Sequence, residues 1–140
     1  MLISVLIPTY NRKKFLTATL DYISQQSYRD FEVIVIDASA PEDQLTVQEA
    51  NRFVFPFKYI RYGIAGNVSR QRNMALKEAK GDLLLFIDDD VSFGPSLFGD
   101  YGKLFSENNY SALGLFLCIS SDGKNILQFE KGLSFKKLFG

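Results

Sequence analysis

Residues 82–91 read DLLLFIDDDV. An apolar run, Leu83 to Ile87, ends directly on three consecutive carboxylates, Asp88, Asp89 and Asp90. The run predicts a buried strand over Asp82–Ile87. Three like charges at its mouth then need compensation. Two carboxylates about 5 Å apart repel by roughly 3 kcal/mol at an effective dielectric near 20. A divalent cation is the obvious counter-charge. In an extended segment alternate residues share a face, so Asp88 and Asp90 point the same way. Two hard oxygen donors facing one space suit Mg²⁺ or Mn²⁺, which keep positions open for water and phosphate. The simpler alternative is an acidic turn capping the next helix, but a turn needs one Asp and here there are three.

Working outward, apolar runs alternate with helical patterns. Leu2–Ile7 and Phe31–Ile36 (FEVIVI) read as strands buried on both faces, and Phe57–Tyr62 as a more exposed one. Between the first two, Asn11 is placed to cap a helix running to about Gln26, with Phe15, Leu16, Leu20 and Ile23 as its inward stripe. Pro41-Glu42-Asp43 looks like the first turn of a short helix. A helix is expected over Ser69–Lys80, stopped by Gly81. Pro95 opens another, with Leu97, Phe98, Tyr101, Leu104 and Phe105 on one face. A fifth strand is expected over Ala112–Ile119, then a turn at SSDGKN and a short strand over Ile126–Phe129.

Strands alternating with helices imply an α/β fold, a mainly parallel sheet flanked by helices. Ligands of such sheets sit beyond the carboxyl ends of the strands, where the strand order reverses. The loops after the strands therefore carry the chemistry. After the first strand, Pro8 ends the ladder, Thr9 and Asn11 offer polar groups and Tyr10 a flat ring. This is either a plain strand-to-helix turn or a platform for a nucleobase. After the second, Asp37 and Ser39 either close an Asx-turn or accept from a base or a ribose. Arg70 and Arg72 open a helix whose dipole disfavours them, as an anion bound there would explain; two solvated arginines are the alternative. Together the loops suggest a nucleobase or ribose pocket beside a metal that grips a diphosphate.

The bulk composition narrows the field. A chain of 140 residues fits one domain, and at that size roughly 68% of the unfolded surface can be buried. Lys+Arg and Asp+Glu are both 16, so no global field favours nucleic acid or an acidic membrane. Histidine is absent, which removes Ser-His triads and most zinc sites. Cys118 is the only cysteine and reads as a buried thiol, so no internal disulfide forms. Met1–Ile7 is too short for a signal peptide, and no run approaches the ~20 apolar residues of a membrane span. A soluble, cytoplasmic protein is expected, with peripheral attachment at the inner face of the membrane as a variant.

VLIPTYNR, FEVIVIDAS and GNVSRQRNMALKEAKGDLLLFIDDDV, with Pro95 beyond, together resemble the nucleotide-sugar domain of family 2 glycosyltransferases. These are inverting enzymes with the A-type glycosyltransferase fold. The resemblance covers roughly residues 2–105. It implies that Thr9 and Tyr10, within Pro8–Asn11, line a base pocket, and that Asp37, with Ser39, accepts from the base. It places Arg72 near the base or diphosphate with Asn73 beside it. Asp88 and Asp89 would sit near ribose or metal, and Asp90, with Asp88, would hold Mn²⁺ or Mg²⁺. The implied partners are a UDP-, GDP- or dTDP-linked sugar and a glycan or lipid-linked acceptor.

The resemblance also implies a general base in a second half of the protein. No position here matches it; Asp122 and Glu130 read as solvated tail positions. Residues 1–140 are therefore expected to be a nucleotide-sugar-binding portion, apparently truncated, in which apolar surface exposed where the missing half would dock could drive self-association into a homo-oligomer. The alternative is a nucleotide-sugar-binding module without turnover. A nucleotidyltransferase would carry a Gly-rich loop after the first strand, and a phosphoacceptor receiver domain would carry acids there. Pro8-Thr9-Tyr10-Asn11 supplies neither.

Overall fold

The computed structural model describes residues 1–63, 67–107, 116–119 and 125–128. Its elements are β1 (Ile3–Thr9), α1 (Lys13–Ser24), β2 (Phe31–Asp37), a 3₁₀ turn (Pro41–Asp43), α2 (Val47–Asn51), β3 (Phe57–Arg61), α3 (Val68–Glu78), β4 (Leu83–Phe86), α4 (Leu97–Glu107), β5 (Phe116–Ile119) and β6 (Asn125–Gln128). The chain divides into two compact units, Met1–Gly102 and Lys103–Gly140.

The first unit is built on a four-stranded parallel sheet in the order β3-β2-β1-β4. All seven residues of β1 are buried, as a nearly all-apolar run predicts of a central strand. Alternation then sorts the side chains. Ile3, Val5 and Ile7, with Phe31, Val33 and Val35 of β2, face Leu16, Leu20 and Ile23 of α1 and Phe98 of α4. Leu6, Ile34 and Ile36 face the other way, onto Ala75 of α3. The sheet is thus covered by α1 and α4 on one face and by α3 on the other. No helix among the described residues is long and apolar enough to cross a membrane.

Several expectations change. Among the described residues β4 is an edge strand and only half covered: Leu84 and Phe86 are 40% and 44% exposed, and α3 packs mainly over β1 and β2. Asn11 does not cap α1. It sits in the left-handed region (φ 52), and its side chain accepts from Ala40 N–H at 3.1 Å, so Arg12 occupies the N-cap position without a side-chain cap. α3 ends at Glu78 with Ala79 as C-cap, so Gly81 is not its stop signal. α2 has no counterpart in the sequence-based expectations, although Thr46 and Glu49 have the spacing of a capping box and form one. In the second unit β5 pairs antiparallel with β6 in a separate two-stranded sheet. A short link suffices for a hairpin, whereas a parallel pair needs a crossover. The expected strand residues 112–115 and 129, the turn at residues 120–124, Asp122, Glu130 and the surroundings of Cys118 lie outside what is described.

Gly81 is needed for close approach. A Cβ there would lie 2.6 Å from Ser4 N and 2.8 Å from Leu2 O, both backbone atoms of the sheet. Gly81 N–H also donates to Ser4 Oγ at 2.8 Å, and Ser4 Oγ donates to Glu32 Oε1 at 2.7 Å. Gly81→Ala is expected to lower stability by about 1–3 kcal/mol through this overpacking. A urea unfolding curve with an unchanged midpoint would refute it.

Candidate active site

Strand order reverses at β1, with β2 on one side and β4 on the other, and the helices after β1 and β3 lie on opposite faces. The crevice beyond the carboxyl ends of β1 and β4 is therefore the place where such a sheet binds ligands. A cavity of about 470 Å³ opens there. Pro8, Thr9, Tyr10 and Arg12 line it from β1, Asp88, Asp89 and Asp90 from β4, and Val68, Gln71 and Arg72 from α3.

The acidic turn is fixed from two sides. Thr9 Oγ1 donates to Asp89 Oδ2 at 2.6 Å, and both residues are buried. Thr19, buried in α1, donates to the main-chain oxygens of Asp89 and Val91 at 2.8 and 3.1 Å. Asp89 is buried, while Asp88 and Asp90 are exposed, and Asp89 and Asp90 lie in a turn beyond β4 rather than in extended chain. Burial pushes the Asp89 carboxyl up from its ordinary value; the Thr9 hydroxyl and Arg12 pull it back, and Asp90 and Asp88 add to the rise.

The counter-charge in this structure comes from two arginines. Arg12 Nη1 lies 3.1 Å from Asp89 Oδ1 and its Nη2 lies 2.7 Å from Asp90 Oδ2. Arg72 Nη2 lies 2.9 Å from Asp88 Oδ1. Arg72 Nε is buried and has no hydrogen-bond partner among the described residues. Arg70 lies instead with its guanidinium 5.6 Å from the centre of the Tyr62 ring.

Other residues singled out by sequence lie beside the cavity rather than on it. Asp37 is buried, next to Thr9 in the β1–β2 register. Its Oδ1 accepts from Ser39 N–H at 2.8 Å, which closes the Asx-turn, and its Oδ2 accepts from the Tyr59 hydroxyl. Burial, and then the Asp37 hydrogen bond, push the Tyr59 hydroxyl well above its ordinary value. Ser39 Oγ accepts from Asn11 N–H at 2.7 Å, which ties the first two loops together. Asn73 is exposed on α3. A second cavity, about 420 Å³, lies by α2 and β3 among Phe53, Phe55, Phe57, Tyr59 and Arg61. It has no carboxylate in its wall and lies away from the reversal point.

Sequence reasoning missed Gln71, Thr19, Arg12 and Tyr59. Gln71 is a buried polar side chain whose amide donates to the main-chain oxygens of both Thr9 and Ile36, each at 2.8 Å, and so pins α3 to the ends of β1 and β2. No local pattern marks it. Arg12 was visible only as the basic end of PTYNR. The Thr9 contact permits a direct test. Thr9→Val removes a hydrogen bond to a buried carboxylate at nearly constant volume, and about 1.5–3 kcal/mol of stability is expected to go with it. Thermal unfolding at neutral pH measures this; a loss below about 0.5 kcal/mol would show that Asp89 does not depend on the hydroxyl.

Residues 4–137 match the family model described as Glycosyl transferase family 2. The chain belongs to that family. Among curated relatives it is 30% identical over 116 residues to the poly(ribitol-phosphate) beta-N-acetylglucosaminyltransferase TarS of Staphylococcus aureus, across 81% of this chain and 20% of TarS. It is 35% identical over 115 residues to the uncharacterized glycosyltransferase YfnE of Bacillus subtilis, across 81% of this chain and 29% of the relative. The chain thus spans between a fifth and a third of these relatives. Residues 1–349 of S. aureus TarS, solved in complex with UDP-GlcNAc, superpose with a TM-score of 0.70 at 30% identity, across 78% of this chain and 32% of that one. The mannosyltransferase PcManGT of Pyrobaculum calidifontis, solved with GDP-Man and Mn²⁺, shares the fold at a TM-score of 0.67 and 23% identity, across 84% of this chain and 35% of that one. The parallel sheet flanked by helices is accordingly that of the A-type glycosyltransferases.

Proposed function

We propose that residues 1–140 are the nucleotide-sugar-binding portion of a metal-dependent glycosyltransferase that transfers a sugar from a nucleoside-diphosphate donor to an acceptor hydroxyl with inversion. The observation that carries this reading is the cavity at the strand-order reversal, where Asp88, Asp89 and Asp90 meet Arg12 and Arg72. Three carboxylates against two guanidiniums leave one negative charge. A divalent cation would turn that into one positive charge, which suits a diphosphate. The Arg72 guanidinium, 41% exposed at the cavity wall, offers that diphosphate a charged donor.

The donor set fits such a cation. Among the described residues no three Asp, Glu, Cys or His side chains converge into a ready-made cage. Two exposed carboxylates, Asp88 and Asp90, fit Mg²⁺ or Mn²⁺ sites that are completed by water and phosphate oxygens. When bound, the metal would supply Lewis-acid neutralisation of the departing nucleoside diphosphate. The chain's own residues do the rest. Asp88 and Asp90 hold the cation, Thr9 and Thr19 hold the turn that presents them, and Arg72 faces the phosphates. Tyr10, 45% exposed at the rim, offers its ring to a base. Asp37, buried beside the cavity, holds the Ser39 N–H and the Tyr59 hydroxyl and so fixes the loop next to Thr9.

Among the described residues the cavity has no carboxylate beyond Asp88–Asp90; with Asp88 and Asp90 on the cation and Asp89 buried against Thr9 and Arg12, none of the three is free to serve as general base. This favours a second reading for residues 1–140 taken alone: donor binding without turnover. Titration calorimetry with UDP, GDP and dTDP, with and without Mn²⁺, tests the site. A metal-dependent heat with at least one of the three is expected, and no heat with any would overturn the reading. Donor hydrolysis by residues 1–140 above background would overturn the second.

A further inference from the structure

We propose that Arg12, one of the two resident counter-cations of the acidic turn, moves its guanidinium off Asp90 when a divalent cation arrives and takes up the diphosphate. This rests on the metal and diphosphate reading above. In the structure Arg12 holds the carboxylate assigned to the metal: its Nη2 is 2.7 Å from Asp90 Oδ2. A cation at Asp90 and a guanidinium on the same carboxylate repel each other, so the two compete.

The contacts of Arg12 differ in how readily they exchange. Asp89 is 5% exposed and has Thr9 as a second partner, so it stays in place when Arg12 moves. The Arg12 and Asp90 side chains are 43% and 40% exposed, so water screens their attraction and little is lost on separation. The Arg12 main chain is fixed at the start of α1, where its oxygen accepts from Leu16 N–H at 3.0 Å. Movement is thereby confined to the side chain. Room for that movement exists, because Arg12 lines both the acidic cavity and a neighbouring cavity of about 480 Å³ with Lys13, Lys14 and Phe15. The half-exposed Phe15 ring lies 4.8 Å from the guanidinium and supports it from that side.

Partner exchange makes metal and diphosphate binding cooperative. Alone, the metal must displace Arg12; with a diphosphate present, the displaced guanidinium gains a new anion. Removing Arg12 therefore moves two affinities in opposite directions. Arg12→Gln is expected to bind Mn²⁺ alone about 5-fold tighter than wild type, read as loss of the free-Mn²⁺ paramagnetic resonance signal. It should bind UDP at saturating Mn²⁺ about 5-fold weaker, read by calorimetry. Arg12→Lys keeps the charge without the fork and should shift Mn²⁺ binding less, by about 2-fold. If Arg12→Gln does not fold by circular dichroism, Arg12→Lys carries the test on the same two readouts. Unchanged or weaker Mn²⁺ binding by the folded variant would overturn the proposal, as would UDP binding that does not fall. Wild type that takes up no Mn²⁺ even with UDP would instead overturn the metal site, and this proposal with it.

Discussion

Asp90→Asn is expected to weaken Mn²⁺-dependent UDP binding by about 10-fold or more, about 1.4 kcal/mol, while the fold survives. The loss follows from replacing a charged oxygen donor by a neutral amide at the proposed cation, to which Asp88 and Asp90 offer two exposed carboxylates. The survival follows from the surroundings. Asp90 is exposed, its Arg12 partner is exposed too, and such a pair contributes at most about 1 kcal/mol. Removing one of three adjacent negative charges relieves repulsion in compensation. Calorimetry with and without Mn²⁺, beside a urea curve, separates the two effects. Equal affinity for both proteins in Mn²⁺ would clear Asp90 of the ligand role.

The largest expected effect on stability is at Phe31, where truncation to Ala should cost about 3–5 kcal/mol. Phe31 is 2% exposed at the start of β2. Its ring meets Phe98 edge-on at 5.1 Å and Phe55 at 5.6 Å, so it joins the sheet to the start of α4 and to the segment leading into β3. The same corner is closed by the buried Gln26. Its amide donates to Gly94 O at 2.8 Å and its oxygen accepts from Phe98 N–H at 3.1 Å. A cavity left by Phe31 would loosen the start of α4 and the segment running back to the acidic turn. A domain of this size holds about 5–15 kcal/mol in all, so the variant should unfold at a much lower urea concentration. A loss under 1 kcal/mol would mean that this corner relaxes freely and is not part of the core.

The strands, their order of appearance and the loops that carry charge were legible because largely apolar runs and terminal acids are local signals. Leu2–Ile7 and Phe31–Ile36 could hardly be anything but central strands, and they are β1 and β2. The edge position of β4 was not legible. Five apolar residues in a row have no period, so nothing in Leu83–Ile87 tells a strand covered on both faces from one covered on one. Asn11 was misread because cap chemistry and left-handed backbone both favour Asn, and only the geometry chooses between them. The pairing of Arg12 with Asp90 spans 78 residues of sequence, and that of Gln71 with Thr9 spans 62. Contacts of that range leave no local trace. The need for counter-charge at the three aspartates could be read from sequence, but that two arginines supply it in this structure could not.

The amide of Gln71 has a consequence for how this scaffold can be altered. One side chain is hydrogen-bonded to the last turn of two strands at once, and the neighbouring residue on the same helix is Arg72. That wall of the crevice is consequently rigid stock: it cannot be re-aimed without tearing two carbonyls from their only side-chain donor among the described contacts. The facing rim is easier to alter: Tyr10 is exposed there, and Arg12 is held by side-chain ion pairs with Asp89 and Asp90 rather than by main-chain carbonyls.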